Sequence, residues 1–195
     1  MRSIAIFLAT IVFALSLSGG PLSGRRAPGF ALPDINLNVH DLYDYRGKVV
    51  VLDIIKTDCP ACNQFQSTLE NLRTRFGDKL QILTIVVPPD SDKTVARFIA
   101  AHKIKTPILF DCGQATSSYI KATPQNPTVE LPHVFLIDAS GWIRNDYGYK
   151  LGTEKVFERP ETLIAEIDTL IKNPSAVQAA PKAAPAAPKS GAAKK

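Results

Sequence analysis

Only three cysteines, Cys59, Cys62 and Cys112, occur in 195 residues, which excludes a small domain stapled by a disulfide framework. None lies near the N-terminus, so lipid attachment through an N-terminal cysteine is excluded as well. There is no second CxxC and no Cys/His pair at ligand spacing to complete a metal site with Cys59 and Cys62. The uncharged, mostly apolar stretch Ile4 to Leu17 is shorter than the ~20 residues an ordinary spanning helix needs. Internal repeats are absent. A basic face is missing too: residues 28–173 hold 16 Lys and Arg against 18 Asp and Glu. The net charge of +5 therefore comes from Arg2, Arg25 and Arg26 at the front and Lys182, Lys189, Lys194 and Lys195 at the back. A near-neutral middle carries no footprint for nucleic acid.

What remains is one domain between two unlike ends. With 45% hydrophobic and 21% charged residues, the chain is globular and long enough for a core of its own. Arg2, the apolar run to Leu17 and the small residues Ser18-Gly19-Gly20 have the form of a secretory signal. Residues 1–18 are expected to be a signal peptide, cleaved after Ser18, or an uncleaved N-terminal membrane anchor. Either one exports the domain to a periplasmic or other extracytoplasmic place, where dedicated partners set the balance of thiol and disulfide. Residues 174–195 are Ala, Pro and Lys with almost nothing apolar and bulky to bury, and are expected to stay disordered.

Between the ends, strand and helix patterns alternate. Val49 to Ile55 is an apolar, β-branched run suited to a strand buried on both faces. It leads into Cys59-Pro60-Ala61-Cys62 and then a helix whose Phe65, Leu69, Leu72 and Phe76 share one face, with Gly77 as its stop. Leu80–Val87 predicts a second strand, Asp92 to about His102 a helix, Pro107–Asp111 a strand and Ala115–Lys121 a helix. After a polar loop, Leu131–Asp138 and Trp142–Tyr149 form an antiparallel pair around Ala139-Ser140-Gly141, and Glu161–Lys172 is a closing helix. This order predicts an α/β domain over 27–173: a mixed central sheet with helices on both faces.

Ala27-Pro28-Gly29-Phe30-Ala31-Leu32-Pro33-Asp34, Arg46-Gly47-Lys48-Val49-Val50, the Cys-Pro-Ala-Cys box and Leu131-Pro132 before Phe135-Leu136-Ile137-Asp138 follow one another in a familiar order. In these residues the chain resembles the thioredoxin superfamily, specifically its exported TlpA/ResA-like branch. A lone CxxC is weak, but CxxC after a strand with X-Pro about 70 residues later is specific. The resemblance implies a thioredoxin-like fold with an inserted αβ unit, and thiol–disulfide oxidoreductase activity without a cofactor. It also implies a cis peptide at Leu131-Pro132 beside the sulfurs. The substrates implied are disulfides of exported proteins, of the cytochrome c or copper-site assembly type, with a membrane redox partner returning electrons.

Cys59, at a helix N-terminus, is expected to attack as thiolate, and Cys62, one turn on, to resolve. A structural disulfide or half a zinc site is the plainer reading of the pair. Asp53 stands where thioredoxins carry a buried carboxylate, and is expected to exchange a proton with Cys62; otherwise it is a strand-edge Asp bonded to a neighbour. Pro132 completes the expected catalytic set, with Pro60, Ala61, Leu131 and His133 against the substrate. His133 either faces the dithiol or is a half-exposed strand residue. His40 and His102 read as surface residues, and Cys112 as a partly buried thiol packing like a small apolar side chain. The aromatic residues that usually precede the first cysteine are replaced by Ile55-Lys56-Thr57-Asp58, with Lys56 free to pair with Asp53 or Asp58 or to support the Cys59 thiolate. Two rival readings fit less well. A thiol peroxidase needs Thr where Lys56 stands, and a Sco-like copper chaperone needs CxxxC and a His farther before Leu136 than His133.

Overall fold

A computed structural model describes residues 20–125, 127–149 and 154–174. The expected signal or anchor (1–18) and nearly all of the expected disordered tail lie outside the described residues. In chain order the elements are β1 (Arg25–Arg26), β2 (Ala31–Pro33), β3 (Val39–Asp41), β4 (Val49–Ile55), α1 (Pro60–Phe76), β5 (Leu80–Val86), α2 (Asp92–His102), β6 (Ile108–Phe110), α3 (Gln114–Ile120), β7 (His133–Ile137), β8 (Trp142–Gly148), α4 (Lys155–Glu158) and α5 (Glu161–Lys172).

The main sheet runs β1-β8-β7-β4-β5-β6, and β2 and β3 form a separate hairpin. β4, β5 and β6 are parallel, whereas β7 is antiparallel to β4, and β8 to β7. Every residue of β4 is buried, as expected of a central strand covered on both sides. Its alternate residues serve different cores. Val49 and Val51 pack with Phe65, Leu69 and Leu72 of α1 and Leu163 and Ile167 of α5. Val50, Leu52 and Ile54 pack with Tyr119 of α3, Phe135 and Leu42 on the other face. A third cluster joins Ile55, Cys62 and Val86 to Val95 and Phe98 of α2, so the dithiol helix and α2 share a core at the C-terminal end of β4. Burial of each such Val, Leu, Ile or Phe side chain stabilises the fold by about 1.5–3 kcal/mol.

The expected mixed sheet with helices on both faces is present, and the stretch that carries the inserted αβ unit is β5, α2, β6 and α3. α1 stops where expected, at Gly77, whose φ of +54° ends the helix. Several details differ from expectation. β7 begins at His133 rather than Leu131, since Pro132 has no N–H to give the ladder. β1 is only two residues long and is paired to β8 at Ile143 and Trp142, a non-local contact without a periodicity to reveal it. α4 is a single turn that places Phe157 edge-on to Phe65, ring centroids 5.0 Å apart. Cys112 is exposed rather than partly buried, because β6 ends at Phe110 and the chain turns outward there.

Candidate active site

The C-terminal end of β4 delivers Lys56-Thr57-Asp58 to the start of α1, where Cys59 is the N-cap residue with extended backbone (φ −81°, ψ 118°). Pro60 takes the first helical position, where its fixed φ suits the helix and its missing N–H costs nothing. The Cys59 Sγ accepts the Cys62 N–H at 3.2 Å, using one of the helix's unpaired donors. Cys59 and Cys62 are joined as a disulfide, with Cα atoms 5.2 Å apart. Cys62 is fully buried and Cys59 half-exposed, so an incoming group can reach only the first sulfur. The Leu131–Pro132 peptide is cis, as the resemblance implied, and the Leu131 carbonyl oxygen is 3.8 Å from Cys59 Sγ. Pro60 is exposed and Ala61 and Leu131 are half-buried around this sulfur, while Pro132 is buried beneath. A second cis bond, Pro88–Pro89, follows β5.

Asp53 lies on the α1 face of β4, wholly buried, and neither of its carboxyl oxygens has a hydrogen-bond partner among the described residues. Burial pushes its carboxyl up to about 7; the Gln66 amide, near the carboxyl but without hydrogen-bond geometry to it, acts weakly against that shift. Gln66 also donates to the Cys62 carbonyl at 3.2 Å, so one side chain touches the surroundings of both groups. Thr84 is register partner to Asp53 on β5, and its buried hydroxyl is likewise unpaired among the described residues. The structure thus gives Asp53 a buried setting, not the hydrogen-bonded strand edge of the plainer reading.

The turn between β4 and α1 is held from two directions that the sequence did not disclose. Asp90, just before α2, accepts the Thr57 N–H at 2.9 Å and also the Thr57 hydroxyl, and is itself bonded by Thr94 at 2.8 Å. Asn63 donates from its side-chain amide to the carbonyls of Thr57 at 3.0 Å and Cys59 at 2.7 Å, and its Oδ1 meets His102 Nε2 at 2.7 Å. His102 is therefore tied to the dithiol turn and is no plain surface residue. His40 is likewise engaged, 2.7 Å from the Tyr45 hydroxyl and 3.2 Å from Asp34. No local signal marks Asp90 or His102 as partners of this turn, since they are brought in from 33 and 39 residues away.

His133 does not face the dithiol. It shares the side of β7 with Phe135, on which it stacks at 4.6 Å, and is wholly buried with Nε2 3.4 Å from Asp146 of β8. Without exposed surface it does not touch a substrate, and the expectation of substrate contact is corrected: β7 is covered on both faces, so no residue of it reaches the surface. Asp146 in turn accepts the Leu22 N–H at 2.8 Å, joining the N-terminal segment to this pair. Lys56 is half-exposed and Asp58 exposed, and neither forms an ion pair among the described residues. With Asp53 sealed inside, Lys56 cannot reach it. Among the described residues no cluster of three or more His, Cys, Asp or Glu could hold a metal. A recess of about 530 Å³ lined by Arg46, Lys48, Lys79 and Leu170 lies at the far end of β4 from the sulfurs.

The chain belongs to the AhpC/TSA family, whose model matches residues 23–146. It is similar to the thioredoxin-like protein YneN of Bacillus subtilis, 27% identical over 65% of this chain and 71% of that one. Thiol-disulfide oxidoreductase ResA of Bacillus thuringiensis is also 27% identical, over 60% of this chain and 65% of its own length, so the chain spans just under two thirds of that relative. Among solved structures, the Chlorobium tepidum protein assigned as thiol:disulfide interchange protein DsbE superposes with a TM-score of 0.60 at 23% identity, covering 74% of this chain and 97% of that one. This last likeness establishes the thioredoxin-like fold.

Proposed function

We propose that this member of the AhpC/TSA family reduces disulfides of exported proteins through Cys59 and Cys62. Its standing as a thiol–disulfide oxidoreductase agrees with the names of its relatives and with its own dithiol; direction, substrate and place are our reading. The observation that carries it is the asymmetry of the pair: a half-exposed N-cap sulfur joined to a fully buried one.

In the reduced protein, the Cys62 N–H and the helix N-terminus favour a thiolate on Cys59. That thiolate attacks a substrate sulfur, the substrate disulfide breaks, and one substrate thiol leaves. A mixed disulfide remains on Cys59. Cys62 gives its proton to the ionised carboxylate of Asp53 and attacks Cys59 Sγ, closing the Cys59–Cys62 disulfide and releasing the second substrate thiol. Two electrons pass to the substrate, and a dithiol partner, a membrane redox protein in our reading, must return them. Pro132 shapes the wall beside Cys59, and the Leu131 backbone, with Pro60 and Ala61, lies against an extended substrate segment. The extracytoplasmic setting rests on the N-terminal sequence; among the described residues no helix is long and apolar enough to cross a membrane.

Purified protein should reduce protein disulfides when supplied with a dithiol. Cys59→Ser should lose that activity, and Cys62→Ser should accumulate a mixed disulfide visible on a non-reducing gel. Activity retained by Cys59→Ser would overturn the mechanism, and rapid turnover of hydrogen peroxide would favour the peroxidase instead.

A further inference from the structure

Asn63 follows the buried cysteine directly, and its side chain does something its place in the helix does not require. Both carbonyls it caps, Thr57 and Cys59, belong to the turn that carries the attacking sulfur. A carbonyl can only accept, so the group facing them must be the amide nitrogen, and the amide orientation is thereby fixed. Oδ1 then points to His102 Nε2, 2.7 Å away, and since Oδ1 also only accepts, that imidazole nitrogen carries a hydrogen. His102 is itself placed by α2: Phe98, one turn earlier, lies against the ring with centroids 4.7 Å apart. The contact spans 39 residues and connects the last residue of α2 to the first turn of α1.

We propose that His102 is a positioning residue for the dithiol, acting through Asn63 to hold the Cys59 turn in the form that favours a thiolate. The inference rests on thiol–disulfide exchange at Cys59. Its physical content is electrostatic and geometric. The Thr57 and Cys59 carbonyls carry the negative ends of their peptide dipoles within the turn that holds the sulfur. Two N–H groups of Asn63 offset them, and the same bonds keep the Cys62 N–H 3.2 Å from Sγ. Without the hydrogen from His102, the Asn63 amide is free to rotate. The carbonyls then lose their donors, the Cys62 N–H is less well aimed, and an anion on Cys59 is less favoured. The same bonds are present in the disulfide form, which has no anion for them to favour, so the thiolate form loses more stability than the disulfide form and the equilibrium moves toward disulfide.

The test uses the purified chain equilibrated with reduced and oxidised dithiothreitol, together with the pH dependence of Cys59 alkylation by iodoacetamide. His102→Leu and Asn63→Ala should each move the equilibrium toward disulfide by about fivefold, the equivalent of one net hydrogen bond. Each should also raise the pH at which Cys59 becomes reactive. His102→Gln, whose amide nitrogen reaches as far as Nε2, should restore both readouts to the parent values, whereas His102→Asn, one carbon shorter, should not. The double variant should be no more shifted than either single one, because the two residues act as one unit. Should His102→Leu fail to fold, the Gln and Asn variants decide the matter between them. Unchanged equilibrium and alkylation in His102→Asn, or fully multiplicative effects of His102→Leu and Asn63→Ala, would overturn the proposal. Alkylation of Cys59 requires no substrate. A chain that reduces no protein disulfide yet shows these shifts would therefore count against the proposed function and not against the clamp.

Discussion

Replacing Asp53 by Asn should make the protein more stable and less active. The carboxyl is wholly buried without a hydrogen-bond partner among the described residues, and burial pushes it from its ordinary 3.8 to about 7. At about 1.36 kcal/mol per pH unit, ionising it in the folded protein costs on the order of 4 kcal/mol. The sign follows from proton uptake. Because the folded value lies above the unfolded one, the folded state holds the extra proton between about pH 4 and 7. Stability from this group is complete below the unfolded value, falls as pH rises through that interval, and is flat above it. Asp53→Asn cannot ionise, so its advantage over the parent should grow from near zero at pH 4 to as much as ~4 kcal/mol at pH 8. Urea unfolding of the oxidised forms at a series of pH values measures this, provided the denaturant slopes agree. A difference between the two proteins that stays constant from pH 4 to 8 would refute the reasoning. The same substitution should slow resolution of the Cys59 mixed disulfide by about a hundredfold and remove its inflection near 7, as loss of a proton acceptor does.

Two further outcomes follow from the packing. His133→Ala should destabilise the fold by about 3 kcal/mol, because it removes a wholly buried ring that stacks on Phe135 and leaves a cavity; a Tm within a degree of the parent would contradict this. Gly77→Ala should cost about 1 kcal/mol in urea unfolding, from backbone strain at φ +54° alone, since a Cβ there would meet open space; an unchanged midpoint would show that the helix end relaxes.

Much of this protein is legible along the chain because the relevant physics is local. The β-branched run Val49–Ile55, the one-sided spacing of Phe65, Leu69 and Leu72, and the stop at Gly77 each depend on neighbours within a few residues, and the elements lie where those patterns put them. The position of Cys59 at a helix N-terminus belongs to the same class, since strand, Pro60 and helix adjoin in sequence. Local pattern failed where a residue's role depends on which face it presents or on who arrives from elsewhere. His133 read either as a group facing the dithiol or as a half-exposed strand residue, but β7 is buried along its whole length and places it beside Asp146. Cys112 read as partly buried, and the end of β6 leaves it exposed. β1 is too short to have a period and exists through its pairing with β8.

The sequence by itself determined that two sulfurs stand between a buried strand and a helix, since covalent order and hydrophobic periodicity suffice for that. Only the tertiary structure decided what surrounds them. Packing α2 against α1 brought Asp90 and His102 to the Thr57–Cys59 turn, and closing the sheet sealed Asp53 from water. Hydrogen bonds between residues tens of positions apart, and the desolvation of a carboxyl by both faces of a sheet, come into being only when the chain has folded upon itself.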